Sequence, residues 1–354
     1  MKQLKENSFG EICLITVFAI GDLIIAFPKG YGSRYGLWGF LMCAALAAAV
    51  TVLYVKIQCS SPAFCTTSLF KPYKNNVLNT VFVVAFTVFV FLCFSECTKD
   101  YIHMVDEVRL KNTPNWVIAA IFTGVVILVG NLPKNTVYKF AIPAALFTGI
   151  GVVFMLLLSL NSAKPELMTQ AFAFDVGESV KQMISFYIHS FGQIAAVLFF
   201  IGGKNKRRSQ RIQFGGVLCG TAIFLICLVN TVLLIGVNVI NNVSYPYATA
   251  TAIINFGGDY TRLDVITYYI FFSASLVKSV VLYKVAMDAV NSINSTAARI
   301  IKFVFPVMGF AVSASHTLSS VMDSNAVNLV IIALQILLPA ALLLSVHKQS
   351  SRRS

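Results

Sequence analysis

Charge is scarce in this chain. Asp, Glu, Lys and Arg make up 12% of residues against 57% hydrophobic, and mean hydropathy is +0.79. That balance excludes an ordinary soluble domain and an intrinsically disordered chain. Histidine is equally sparse: His103, His189, His316 and His347 are too dispersed for metal-ligand spacing. The eight cysteines contain no CxxC pair. They read as small apolar fillers, a common place for free cysteine. No nucleophile–base constellation, phosphate-cradling glycine loop or paired carboxylate is visible, so an enzyme is not expected. No cofactor and no metal are expected either.

What is abundant is long apolar runs. Ten reach or approach the roughly 20 residues that a bilayer requires. They cover 9–27, 36–57, 77–97, 115–130, 137–160, 180–201, 212–240, 263–290, 300–318 and 326–346. The first run has no small-residue cleavage site followed by a soluble domain, so it reads as a span rather than a leader. The seventh and eighth are long enough to suggest tilt or interfacial extensions. No linker divides the chain, so 1–354 reads as one membrane domain. The segment 245–259 is mildly amphipathic and reads as lying along the outer surface.

Acids are few, 14 against 27 Lys and Arg, which gives a net charge of +13. The distribution argues against nucleic acid. Basic residues concentrate on the even-numbered connections and both termini, with runs at 204–211 and near Arg352 and Arg353. The acids Asp100, Asp106, Glu107, Glu166, Asp175, Glu178, Asp259 and Asp323 lie on odd-numbered connections. The positive-inside rule then predicts cytoplasmic termini. The basic runs are topology anchors in this reading, with anionic-lipid or partner contact as the second one.

Two apolar runs are interrupted alike. One reads Ala19-Ile20-Gly21-Asp22-Leu23, the other Ser190-Phe191-Gly192-Gln193-Ile194, half the chain apart. A glycine beside a polar residue weakens a helix at that point. Paired interruptions in two halves are the sequence pointer to a transporter-type binding site. The offset divides the chain into five spans at 9–160 and five at 180–346. Five is odd, so the second repeat is inverted. Backbone groups freed at an unwound turn suit both ends of a zwitterion: N–H groups a carboxylate, carbonyls an ammonium. The alternative is that Gly21 and Gly192 only permit close helix packing.

Asp22 flanks the first interruption, and Lys278 lies near the middle of the eighth run. A charge at that depth normally faces a cavity or a partner. Lys278 is expected to reach the first interruption, at Asp22 or at its carbonyls, where sodium-coupled members of this architecture hold a sodium ion. Snorkelling along the helix is the competing reading. Ser190 donates either to a ligand or to its own helix. Phe191 and Tyr283 are candidate apolar walls, with ordinary packing as the alternative. Glu96, followed by Lys99 and Asp100, reads as a solvated or interfacial face at the outer end of the third run, with a proton relay as the alternative.

Several of these residues also resemble a known family. They are Gly21 followed by Pro28, Thr113-Pro114, Ser190-Phe191-Gly192 with a basic run after it, and Thr261-Arg262-Leu263-Asp264 ahead of Lys278 and Leu282-Tyr283. Their order and spacing resemble the B subunit of endospore germinant receptors, a branch of the amino acid–polyamine–organocation permeases, nearly end to end. The resemblance implies an all-α, LeuT-like 5+5 inverted-repeat fold with broken first and sixth helices. It implies a small germinant, an amino acid by expectation, bound among the first, third, sixth and eighth spans. The implied site residues are Gly21, Asp22, Ser190, Phe191, Gly192, Lys278 and Tyr283, with a third-span contact at 88–92. It further implies an A subunit and a lipoprotein C subunit as partners, in the spore inner membrane. Ile194 stands where the family commonly has an acid, and Gly202-Gly203 where it commonly has a proline; both bear on which ligand is taken. A proton-coupled amino acid or amine transporter is the alternative function.

Overall fold

The computed structural model describes residues 2–27, 34–60, 76–108, 113–201, 206–254, 264–322 and 324–350. Among the described residues the secondary structure is helical throughout. The long elements are α1 (Lys2–Ile20), α2 (Gly36–Ser60), α3 (Asn76–Val108), α4 (Asn115–Gly130) and α5 (Lys134–Ser159). After the short α6 (Pro165–Thr169) come α7 (Val176–His189), α8 (Ile194–Ile201) and α9 (Lys206–Ile240). Then follow α10 (Pro246–Ala252), α11 (Asp264–Asn291), α12 (Ser295–Ala314), α13 (His316–Met322) and α14 (Asn325–Ser350). Apolar runs without water must satisfy their backbone internally, and a helix does so within one segment.

Seven of these helices are long and apolar enough to cross a membrane; α7 with α8, bent by 40°, makes an eighth. Two shorter apolar helices, Ser8–Ile20 and Asn115–Gly130, lie at the first and fourth expected spans. Length and composition thus give seven or eight spans against the ten expected. The first falls short because its helix stops at Ile20 and the apolar residues after it form turns. The seventh run is long for another reason: α9 is kinked at Gly236, whose φ of 75° is a conformation that favours glycine.

The helices cluster into two compact units, each drawing on both halves of the chain. One comprises 1–48, 138–191 and 215–277. Its core holds Phe40 against Phe186 at 5.5 Å and Phe224 at 5.0 Å between ring centroids. Small residues bring α1 and α9 together. A Cβ on Gly216 would lie 2.5 Å from Ile15 Cβ, and one on Gly220 2.9 Å from Ala19 Cβ. Thr16 Oγ1 donates across the same contact to Gly216 O at 3.2 Å. Close backbone approach plus a polar link is how helices associate where apolar burial alone gives no preference. The helix α10 corrects an expectation. Pro246, Tyr247, Ala248, Ala250 and Thr251 are buried, so this part of 245–259 is core and not an outer surface. The remainder from 255 onward lies outside the described residues.

The other unit comprises 49–137, 192–214 and 278–354. In it α12 packs on α3 and α4, and α14 packs on α3. Phe94 and Phe305 lie 5.0 Å apart, with Gly309 under the Phe94 ring. Lys284 Nζ donates to Gly130 O at 2.9 Å, a carbonyl at the end of α4 that the helix itself cannot satisfy. Lys134 pairs with Asp288 at 2.6 Å. Cys13, Cys43, Cys93, Cys97, Cys219 and Cys227 form no disulfide, and all but Cys219 are buried, in keeping with the filler role.

Candidate functional site: two helix breaks

The first break lies where α1 ends. Gly21 N still donates to Val17 O at 2.9 Å, after which the chain turns. Ile24 N donates to Ile20 O at 3.1 Å, and Ile25 N and Ala26 N both donate to Asp22 O. The residues after Gly21 therefore coil without forming helix. Asp22 sits in this turn and is 3% exposed.

The second break follows His189. Ser190 has φ −139° and ψ −73°, outside the helical region. Phe191–Gln193 form one 3-10 turn, and α8 resumes at Ile194. Ser190 and Phe191 belong to the first unit, and the chain enters the second at Gly192. Ser190 keeps its own helix bond through the backbone, N donating to Phe186 O at 3.2 Å, while its hydroxyl turns elsewhere. Its Oγ donates to Ala19 O at 2.6 Å, between positions 171 apart in sequence. Ala19 is in the last turn of α1, whose carbonyls need outside donors. The same offset separates Gly21 from Gly192, so the bond joins equivalent positions ahead of the two breaks. Phe191 is 3% exposed and its ring lies 6.0 Å from Phe40.

Gly192 is tightly enclosed in the second unit. A Cβ there would stand 2.4–2.6 Å from the carboxamide atoms of Gln335 on α14. Lys278, in the middle of α11, is 0% exposed. Its amine does not reach the surface, which removes the snorkelling alternative. Tyr283, one turn and a half further on, is 1% exposed. Its hydroxyl donates to Lys302 O at 3.2 Å, and its ring packs on Gly130.

Two polar residues stand differently from the sequence expectation, which puts Glu96 at a solvated or interfacial face and assigns Gln193 no role. Glu96 is 8% exposed, not solvated, because α3 runs on to Val108 and leaves it mid-helix. It accepts from Gln193 Nε2 at 3.0 Å, and Gln193 is 0% exposed. Gln193 stands directly after the second glycine. An amide beside a glycine at a helix break is the sequence signal that marks it. Of the family-like positions, Pro28, Gly202-Gly203 and 261–263 lie outside the described residues.

These features define a polytopic membrane protein of the LeuT-type transporter fold. The chain belongs to the spore germination protein family of permeases, whose model matches residues 8–321. Among solved structures it is similar to a Na+-coupled sialic acid symporter in a substrate-bound outward-open state. The identity is 12%, covering 95% of this chain and 78% of that one, with a TM-score of 0.61. No curated protein matches. At 12% identity the likeness is one of fold.

Proposed function

We propose that this chain is the membrane subunit of a spore germinant receptor, and that it binds a small amino acid at the two helix breaks. The observation that carries this is the buried Ser190–Ala19 hydrogen bond at 2.6 Å, which ties one break to the other across 171 positions. Inverted repeats place binding residues where two such interruptions meet. Membership of the spore germination protein family supplies the physiological context.

The chemistry of the breaks suits a zwitterion. The first exposes the carbonyl end of α1, which favours an ammonium; the second leads into the N–H end of α8, which favours a carboxylate. Asp22 reinforces the ammonium side. In this reading Gly21, Asp22, Ser190, Phe191 and Gly192 form the binding core. Tyr283 is an apolar wall, and Lys278 is the counter-charge to Asp22. Binding biases a two-state helix bundle, and an A subunit and a lipoprotein C subunit read the change in the spore inner membrane. Both termini then lie on the core side, as the basic runs require.

A second reading is a proton-coupled amino acid or amine transporter, favoured by the deep burial of the two opposite charges Asp22 and Lys278. Vesicle uptake and spore germination separate the two. Radiolabelled amino acid accumulating in vesicles that contain this chain alone supports transport. Germination that depends on Gly21 and Gly192, without uptake, supports the receptor.

A further inference from the structure

We infer that Glu96 and Gln193 form a second polar subsite, one that takes a monovalent cation. The inference stands apart from the germinant reading and does not require it.

Gln193 donates its Nε2 to Glu96 Oε2 at 3.0 Å. A carboxamide is planar, so its Oε1 is directed away from the group that Nε2 faces. That Oε1 is buried and accepts no hydrogen bond. A buried acceptor left so costs on the order of 1–3 kcal/mol. Such a group calls for an explanation, and a water or an ion held against it is one. Ser95 Oγ, on the preceding residue of α3, is buried and equally without a partner.

The surroundings select the sign of the occupant. Glu96 is 8% exposed and supplies a carboxylate at bilayer depth. The Gln335 carboxamide packs on Gly192, the residue before Gln193, and adds a second amide beside the break. Lys99, one helical turn beyond Glu96, pairs with Asp100 at 3.6 Å. A carboxylate, amide oxygens and a hydroxyl are the ligands of a hard cation or of an ammonium. An anion would meet the Glu96 charge. The cation comes from one of two sources: a metal ion such as sodium or potassium, or the ammonium of an amine ligand.

The test uses the full-length chain in nanodiscs and reads its unfolding temperature at constant ionic strength. N-methyl-D-glucamine chloride is replaced stepwise by sodium, potassium or methylammonium chloride. A saturable stabilisation is expected with at least one of the three. Sodium or potassium identifies a metal ion, and methylammonium alone identifies a ligand amine. Glu96→Gln and Gln193→Met should each raise the apparent dissociation constant by about tenfold or more, as for a lost hydrogen bond to a charged group. If E96Q does not fold, Q193M carries the comparison, since it keeps the length and removes only the amide. The inference is overturned if no cation gives a saturable shift or if both variants respond as the parent does. It is equally overturned if the stabilisation follows pH in N-methyl-D-glucamine alone, which would mean a proton only. Germination is not read in this assay, so failure here leaves the site at Gly21 untouched, and failure there leaves this subsite standing.

Discussion

The two breaks share a glycine and differ in everything around it. At the first, the chain leaves α1 at Ile20 and coils on through turns, with Asp22 the only charged residue among the described residues 21–27. At the second, helix resumes at once, and a polar residue on each side of the glycine is engaged. Ser190 is held by Ala19 O, and Gln193 holds Glu96. Gly192 is also enclosed by Gln335. One break is thus loosely built and carries its own carboxylate, the other tightly built, with its carboxylate, Glu96, brought in from α3. A repeat duplicates backbone geometry, and the side chains then divide the work. The expected division is a second break that positions and a first break that discriminates.

The largest effects should come from steric filling of the tight break. Gly192→Leu places carbon where the Gln335 carboxamide now lies, and should abolish the germinant response of spores while leaving membrane levels of the protein largely intact. A normal dose–response curve would mean that the enclosure at Gly192 is only packing.

Charge removal ranks next. On the proposed reading, in which Lys278 is the counter-charge to Asp22, Lys278→Met leaves a buried charge uncompensated, which costs roughly 3–5 kcal/mol when a buried pair is broken. Reduced thermal stability of the purified chain is the readout. Asp22→Asn combined with Lys278→Met should recover most of that loss. No recovery in the double variant contradicts their pairing.

Smaller still is the link between the breaks. Ser190→Ala removes one buried hydrogen bond of about 1 kcal/mol, a factor of about five in an equilibrium. Spores carrying it should need about fivefold more amino acid for half-maximal germination. An unchanged requirement would show that the breaks are held together by other contacts.

The smallest effect is expected at Tyr283. Its hydroxyl is already engaged by Lys302 O, so Tyr283→Phe keeps the ring on Gly130 and should change germinant sensitivity by less than about twofold. A larger loss would place the hydroxyl against the ligand instead.

Much of the fold was legible because membrane burial writes itself into composition. The glycines at 21 and 192 likewise marked where α1 and α7 end, since a helix at bilayer depth tolerates interruption only with a reason. What was not legible depended on helix length. The apolar run at 77–97 ended on paper near Glu96, yet α3 continues to Val108, and a residue read as interfacial became a buried partner of Gln193. The reverse happened at 9–27, where apolar residues after Ile20 are turns and not helix. Hydropathy counts apolar residues but does not record their backbone. The burial of α10 was hidden for a similar reason: its alternation of small and polar residues suits a surface helix as well as a core one.

The most direct test of the account is germination of spores carrying Gly21→Leu against a panel of amino acids, with the membrane level of the protein checked in parallel. The account predicts a specific loss of response at normal protein level, because a leucine would restore helix and fill the turn at Asp22. A normal response at normal level would contradict it, and would reduce the first break to a packing feature.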